Sequence, residues 1–394
     1  MFNKGLLDTL QALGDERGGT SVSGIHSAPV MAQGSLPTAE DVRRAAARLA
    51  SAPAPAQCVL TPLLSSPALD EACEGARVWV KAECLQRGGS FKYRGALHAL
   101  LRLREAGRDG RGVVAFSSGN HAAALARAGA DLGVNVKVVM PDDAPAAKVE
   151  AARRAGAHLV FYSRSRGESR EELGAEIARV EGRELVKPFD DPEVIAGQGT
   201  CGLEIARQLK ESFPGGTVPG RVVAVVPASG GGLVAGVSLA LREAFGEEGV
   251  DVWCAEPRGL DDHARSLAVP GREARLANPD GAEGAKTTLC DALMAPQPGE
   301  ITWQVNRATL AGGLAVSDDE ALDAVGAALA HLKLVLEPGG AAALAAAMGP
   351  ESRKRMLGRS HAPVAALVVV ASGGNIDPAV LALALDRLQR GRSS

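Results

Sequence analysis

Aromatic side chains are scarce in this chain: 3 Trp, 2 Tyr and 7 Phe among 394 residues. Hydrophobic residues still make up 46%, so a core of two-domain size has to be packed from Ala, Val and Leu. That composition suits an α/β protein with close helix–sheet packing. Net charge is nearly absent as well. The 43 Lys and Arg residues against 46 Asp and Glu leave −3, which speaks against nucleic acid or an anionic membrane as partner. The six cysteines, Cys58, Cys73, Cys84, Cys201, Cys254 and Cys290, are widely spaced and include no C-x-x-C pair. Neither a disulfide framework nor a thiolate metal site is predicted, and a reducing cytoplasm is the default setting. Long apolar runs are missing too. A run such as Val364–Ala371 falls far short of the ~20 residues that span a bilayer. The N-terminal stretch has no apolar run of the kind a secretory signal needs. Residues 1–35, rich in Gly and Ser with a second methionine at Met31, are predicted to form a flexible extension. No internal repeat is evident.

What is present is an alternation of strand and helix patterns. Thr38 to Asp41 has the form of a capping box ahead of a short helix, Val42–Leu49. Val78–Glu83, Val113–Phe116, Asn135–Met140, His158–Tyr162, Arg221–Val226, Val250–Ala255 and Val364–Val370 read as strands. Segments near 121–132, 145–155 and 168–180 read as helices between and after them. Such alternation predicts parallel sheets covered by helices, with ligands bound at the loops that leave the strands' carboxyl ends.

Several loops carry unusual chemistry. Gly88 to Ala96 reads Gly-Gly-Ser-Phe-Lys-Tyr-Arg-Gly-Ala. Its glycines permit close backbone approach, Ser90 can cap the helix that follows, and Lys92 is placed where an amine can be desolvated. A desolvated lysine sheds its proton easily and becomes a nucleophile able to form a Schiff base. After the strand Val113–Phe116 comes Ser117-Ser118-Gly119-Asn120-His121, a helix entrance suited to a carboxylate. After Arg221–Val226 comes Pro227-Ala228-Ser229-Gly230-Gly231-Gly232-Leu233, where successive amides at a helix start can cradle phosphate. Asp191 is placed to cap a helix begun by Pro192. Glu256-Pro257-Arg258-Gly259-Leu260-Asp261-Asp262 sets acidic groups just past a strand, oxygen ligands that suit Mg²⁺ or Ca²⁺.

Together these strings resemble the pyridoxal-phosphate enzymes of fold type II, in the serine/threonine dehydratase and serine racemase family. The resemblance runs from Lys81 to Asn375 and includes the near-literal string Asp190 to Thr200. It implies an α/β, tryptophan synthase β-like fold of two domains with parallel-rich twisted sheets. The small domain would be residues 112–190, and the large PLP-binding domain residues 36–111 and 191–394. By resemblance, Lys92 carries the cofactor, with Phe91 beside it, and Ser118 holds the place of the racemases' second acid/base. Ser117, Ser118, Asn120 and His121 surround the substrate carboxylate, and Asn120 also approaches the cofactor's phenolic oxygen. Ser229, Gly230, Gly231, Gly232 and Leu233 form the phosphate loop, with Ser229 in place of the family's first glycine. Ser372, in Ala371-Ser372-Gly373-Gly374-Asn375, faces the pyridine nitrogen, where a neutral hydroxyl suits quick elimination. Glu337, in Glu337-Pro338-Gly339-Gly340-Ala341, lies near the ring. The racemase-like members bind a cation through a Glu, a backbone carbonyl and an Asp at this spacing, which maps to Glu256, the Leu260 carbonyl and Asp262. Arg170 matches an arginine that approaches dicarboxylate ligands.

The activity this implies is β-elimination of a β-hydroxy amino acid such as L-threonine or L-serine to a 2-oxo acid and ammonia, by a cytoplasmic homodimer acting on a small amino-acid substrate. The alternatives are a 3-hydroxyaspartate dehydratase, a serine or aspartate racemase and, from another class, a non-catalytic PLP-binding protein. Only residues 376–394 follow the Ser372 loop, room for one helix, so an added C-terminal regulatory domain is not expected.

Overall fold

The computed structural model describes residues 35–117, 119–144, 146–278, 288–359 and 363–391. The extension predicted over residues 1–35 falls almost wholly outside them, as does Ser118. Among the described residues ten strands form two sheets: β1 (Leu63–Ser65), β2 (Val78–Lys81), β3 (Val113–Phe116), β4 (Val136–Pro141), β5 (His158–Tyr162), β6 (Glu184–Leu185), β7 (Arg221–Pro227), β8 (Val250–Pro257), β9 (Gly312–Val316) and β10 (Val364–Val370). The six-stranded sheet has the order β1-β2-β10-β7-β8-β9 and is parallel except for β1. The four-stranded sheet, β5-β4-β3-β6, is wholly parallel.

Parallel strands joined through helices leave their carboxyl ends on one edge. The lysine loop after β2, the glycine loop after β7 and the serine loop after β10 therefore share one edge of the larger sheet. The loop after β3 reaches them from the smaller sheet. The core is small-residue aliphatic, as the composition demands. Val223, Val225, Leu367 and Val369 pack with a run of alanines from the helix Pro338–Met348.

Strand Val78–Lys81 is shorter than the predicted Val78–Glu83, and its alternation misleads. All four of its residues are buried. Lys81 Nζ bonds Glu204 Oε2 and the Thr61 carbonyl, each at 2.6 Å. Glu204 also binds Arg94, which pairs with Glu83. This buried ion network fixes the helix Lys92–Glu105 against the helix Pro192–Glu211. Removing one member would strand a buried charge at a cost of about 3–5 kcal/mol. The two helices also cross where Gly95 meets Gly197, and a side chain at residue 197 would lie 2.8 Å from the Gly95 Cα.

The string Asp190-Asp191 has a physical purpose in this crossing. Asp191 Oδ1 caps the helix Pro192–Glu211 by accepting from Glu193 N and Val194 N. Asp190 Oδ1 accepts from Ile301 N at 2.8 Å and Thr302 N at 3.3 Å, so it caps a second helix, Glu300–Thr309. The capping box at Thr38 and Asp41 forms as predicted and starts the helix Ala39–Ala50. Among the described residues no helix is long and apolar enough to cross a membrane, and all six cysteines are free thiols.

Candidate active site

Lys92 is the first residue of the helix Lys92–Glu105, at the positive end of the helix dipole. Its Nζ donates to the Pro188 carbonyl at 2.6 Å and lies 5.0 Å from the centre of the Phe91 ring. Burial of the amine pulls its pKa down to about 8, because taking charge out of water favours the neutral form. Ser90 does not cap this helix, contrary to expectation. The capping position falls to Phe91 without a side-chain bond, and the Ser90 hydroxyl is buried without a partner. The loop is fixed instead by the end of β10: Phe91 N donates to Ser372 O at 3.0 Å, and Gly374 N donates to Gly89 O at 2.9 Å.

Next along the same edge lies the glycine loop. Gly231 adopts φ +93° and precedes the helix Gly232–Phe245. A side chain at Gly231 would lie 2.5 Å from His263 Nε2 and 2.6 Å from Asn306 Nδ2, so both backbone and space demand glycine. Ser229 is not among the residues with positive φ, so serine in place of the family's glycine strains nothing. Its hydroxyl accepts from Ala295 N at 3.0 Å and keeps its own proton for donation. The loop is held from behind, with Gly230 O accepting from Thr302 Oγ1 at 2.6 Å and Gly231 O from Asn306 Nδ2 at 3.3 Å. Phe189, which follows the carbonyl that holds Lys92, lies against Gly230 and Gly232. Leu233 is buried in the core behind the loop.

Ser372 and Glu337 face this group from β10 and from the helix Pro338–Met348. Both are buried, and Ser372 N donates to Gly340 O at 3.2 Å. Glu337 occupies the helix's capping position but makes no capping bond. Its Oε1 instead accepts from Asn120 Nδ2 at 2.6 Å. Burial pushes its carboxyl up to about 7; the Asn120 bond opposes the rise without cancelling it. Asn120 Oδ1 in turn accepts from Asn375 Nδ2 at 2.8 Å. One amide thus ties the smaller sheet's loop to two loops of the larger sheet.

Asn120 and His121 open the helix Asn120–Leu132, whose first amides have no partner within the helix. Ser117 Oγ accepts from Gly119 N at 3.2 Å. The His121 imidazole is buried, with Nε2 3.1 Å from Val186 O and Nδ1 without a partner. Burial, then the nearby Lys92 charge, lowers its pKa to about 3. It is therefore neutral, donates through Nε2 and offers only a lone pair at Nδ1. Donors for a carboxylate at this point are the backbone amides rather than the imidazole. Arg170 lies further out. It pairs with Glu171 at 2.8 Å, and its guanidinium is 5.8 Å from the centre of the Phe116 ring, next to Ser117.

The acidic pair lies behind the glycine loop. Glu256 and Asp262 are fully buried, and His263 joins them. Glu256 Oε1 accepts from His263 N at 3.0 Å, and Oε2 accepts from Ala264 N at 2.8 Å. Leu260 is buried in the turn between them, its amide donating to Pro257 O at 3.0 Å. Burial raises the Glu256 pKa, although His263 opposes it. Burial pulls His263 down, but the Asp262 and Glu256 bonds and charges outweigh it and carry it up to about 9.

Sequence reasoning missed the parts that hold the loops in place: Pro188, Phe189, Asn375, Thr302, Asn306 and His263. Only His263, directly after two aspartates at a strand's end, carried a readable signal.

A phosphate cradle that only glycine can form, beside a desolvated lysine at the carboxyl edge of a parallel sheet, defines a site for a phosphorylated cofactor bound through an amine. The chain belongs to the family of pyridoxal-phosphate dependent enzymes, whose pattern it matches over residues 57–373. It is 36% identical over 321 residues to a serine racemase of Oryza sativa subsp. indica, covering 82% of this chain and 87% of that one. It is 37% identical over 322 residues to an L-threo-3-hydroxyaspartate ammonia-lyase of Pseudomonas sp, covering 80% and 90%. Among solved structures, a threonine deaminase of T.th. superposes with a TM-score of 0.72 at 38% identity, covering 86% of this chain and 99% of the other. The protein is a PLP-dependent enzyme of the ammonia-lyase type, and its mixed α/β architecture is that of fold type II.

Proposed function

We propose that this chain eliminates the β-hydroxyl of a small amino acid, serine or threonine first and 3-hydroxyaspartate next, to give a 2-oxo acid and ammonium. The observation that carries the reading is the Lys92 amine, held by Pro188 O at 2.6 Å with its pKa at about 8, close to the glycine cradle. Bound PLP supplies a place for the substrate's amino group and a sink for the electron pair left on Cα. The rest is the work of the chain.

The amides and hydroxyl of Ser229 to Leu233 hold the phosphate, and Phe91, Asn120, Glu337 and Ser372 flank the ring. The free amides at Asn120 and His121, with Ser117, hold the substrate carboxylate and so fix which bond at Cα points at Lys92. The Lys92 amine in its unprotonated form takes the Cα proton at Nζ, a proton returned from the same amine lets the β-hydroxyl leave as water, and hydrolysis of the released enamine by one water gives the 2-oxo acid and ammonium. Arg170 stands at the mouth for a second carboxylate. Residues 112–190 act as the small domain and carry these substrate contacts. The enzyme works in the cytoplasm as a homodimer.

Glu256, the Leu260 carbonyl and Asp262 bind a divalent cation that steadies the glycine loop from behind. The Asp262 Oδ2 atom supports this, because it is a buried carboxylate oxygen with no hydrogen bond, and its nearest charged neighbour is His263 Nδ1 at 3.6 Å. Such a group is costly unless something charged satisfies it. The test is a screen of L- and D-serine, threonine and 3-hydroxyaspartate for 2-oxo acid and ammonium, before and after chelation and re-addition of Mg²⁺. Turnover of a β-hydroxy amino acid, reduced by chelator and restored by cation, is expected. Absence of 2-oxo acid from every substrate would overturn the reading.

Racemisation is the second reading, favoured by likeness to the rice serine racemase and by the serine at position 118, which the resemblance puts in the place of the racemases' second acid/base. Ser118→Ala is expected to leave elimination from the enantiomer deprotonated by Lys92 nearly unchanged. It should abolish inversion of serine followed by chiral chromatography. Loss of all activity with PLP still bound would make Ser118 the principal base instead.

A further inference from the structure

The acidic cluster behind the glycine loop contains a nitrogen. His263 Nδ1 lies 3.2 Å from Glu256 Oε1 and 3.6 Å from Asp262 Oδ2. Donor atoms of all three residues lie within 4.8 Å of one another, and all three are buried. One carboxylate oxygen of Asp262 is held by Asn278 Nδ2 at 3.0 Å. The other, Oδ2, has no hydrogen bond and is the atom that faces the imidazole. At the far side of the ring, Nε2 sits 3.2 Å from Asn306 Nδ2, which also donates to Gly231 O. An amide nitrogen only donates, so Nε2 accepts from it and the ring carries its proton on Nδ1, towards Glu256.

We propose that His263 Nδ1 is a direct ligand of the cation held by Glu256 and Asp262, and that it shifts the site's preference from Mg²⁺ and Ca²⁺ to first-row transition-metal cations. The inference rests on the cation reading above and adds to it the identity of a ligand and of the metal class. Mg²⁺ and Ca²⁺ take oxygen donors, whereas an imidazole beside two carboxylates favours ions such as Co²⁺ and Zn²⁺. The bond from Nδ1 to the ion replaces the Nδ1–H bond to Glu256; the ring that binds the ion is neutral, having lost the proton at Nδ1 and gained one at Nε2, and the Asn306 amide turns so that its Oδ1, which has no hydrogen-bond partner, accepts the Nε2–H. Because turning the Asn306 amide releases its bond to Gly231 O, binding of the ion is coupled to the phosphate loop.

The competing account is that His263 serves as a buried counter-charge to the two carboxylates and never meets a metal. Holoenzyme stripped by chelator, loaded with Mn²⁺ and desalted distinguishes the two by pulsed electron paramagnetic resonance, which reads ¹⁴N directly bonded to the ion. We expect imidazole nitrogen coupling in the wild type and none in His263→Gln. Calorimetric titration with Co²⁺ and Mg²⁺ should show tighter Co²⁺ binding by the wild type. In His263→Gln the Co²⁺ affinity should fall about tenfold or more, at least the loss seen for outer partners of metal sites, with Mg²⁺ little changed. Bound Mn²⁺ without nitrogen coupling would overturn the His263 inference and leave the cation reading standing. Failure of every cation to bind would overturn both. The wild-type spectrum decides the matter even where a variant folds poorly.

Discussion

Replacing Lys92 by alanine is expected to lower kcat by roughly 10³-fold or more, the scale of a lost general base that also anchors the cofactor. The visible absorption of bound cofactor should change, and borohydride should no longer fix the cofactor to the polypeptide. The fold should survive. Lys92 occupies the first turn of the helix Lys92–Glu105, where alanine is an excellent helix former, and among the described residues its amine bonds only Pro188 O. The buried amine's pKa of about 8 means that its charge is costly in place. Removing it therefore gives back part of what the lost hydrogen bond contributed. A Lys92→Ala protein with unchanged absorption and turnover would exclude this residue as the anchor and the base.

Glu337→Gln is expected to stabilise the apo protein above pH 7 and to have no effect near pH 4.5. Burial raises this carboxyl from 4.5 to about 7. The native state therefore binds the proton more tightly than the unfolded chain does. Between these two values the wild type loses stability as pH rises, and above about 7 the loss is complete. A difference of this size corresponds to about 3 kcal/mol, and glutamine removes it while its carbonyl still accepts from Asn120 Nδ2. Denaturant midpoints of both proteins, taken from pH 4.5 to 8, should diverge with rising pH, the variant being the more stable. Parallel curves would show that Glu337 ionises as freely as an exposed carboxylate. The same variant should slow turnover, because a group that changes its proton near pH 7 beside the ring is replaced by one that cannot.

Much of the scaffold was legible from short-range pattern. β3, β5 and β10 fall on their predicted residues, and the Thr38 capping box and the Asp191 cap form as read. Strands β1, β6 and β9 were not legible. β6 is two residues long, and β9 begins with Gly312-Gly313, a poor strand signal. Those glycines are demanded by packing: a side chain at Gly312 would lie 2.6 Å from the Trp253 ring. The strand pattern over Val78–Glu83 carried no sign that the Lys81 charge is buried against Glu204.

Within the site, the residues that bear the chemistry were legible and the residues that hold them were not. Lys92, the Ser229–Gly232 loop, Glu337 and Ser372 lie in strings whose composition is itself unusual: paired glycines, a lysine at a helix start, a carboxylate before proline. Their partners lie in ordinary sequence. Pro188 holds the lysine, Asn306 holds Gly231, and Asn375 holds Asn120. Each pairing joins segments 75 to 255 residues apart, a separation that local pattern does not encode. The sequence by itself determined the class of chemistry, because an amine nucleophile and a phosphate nest need particular residues at particular local spacings. Only the tertiary structure decided the charge state of Lys92 and of Glu337, the neutral form of His121 and the entry of His263 into the acidic cluster. Those depend on burial and on which distant groups come within hydrogen-bond reach, and both are set when the two sheets close on one another.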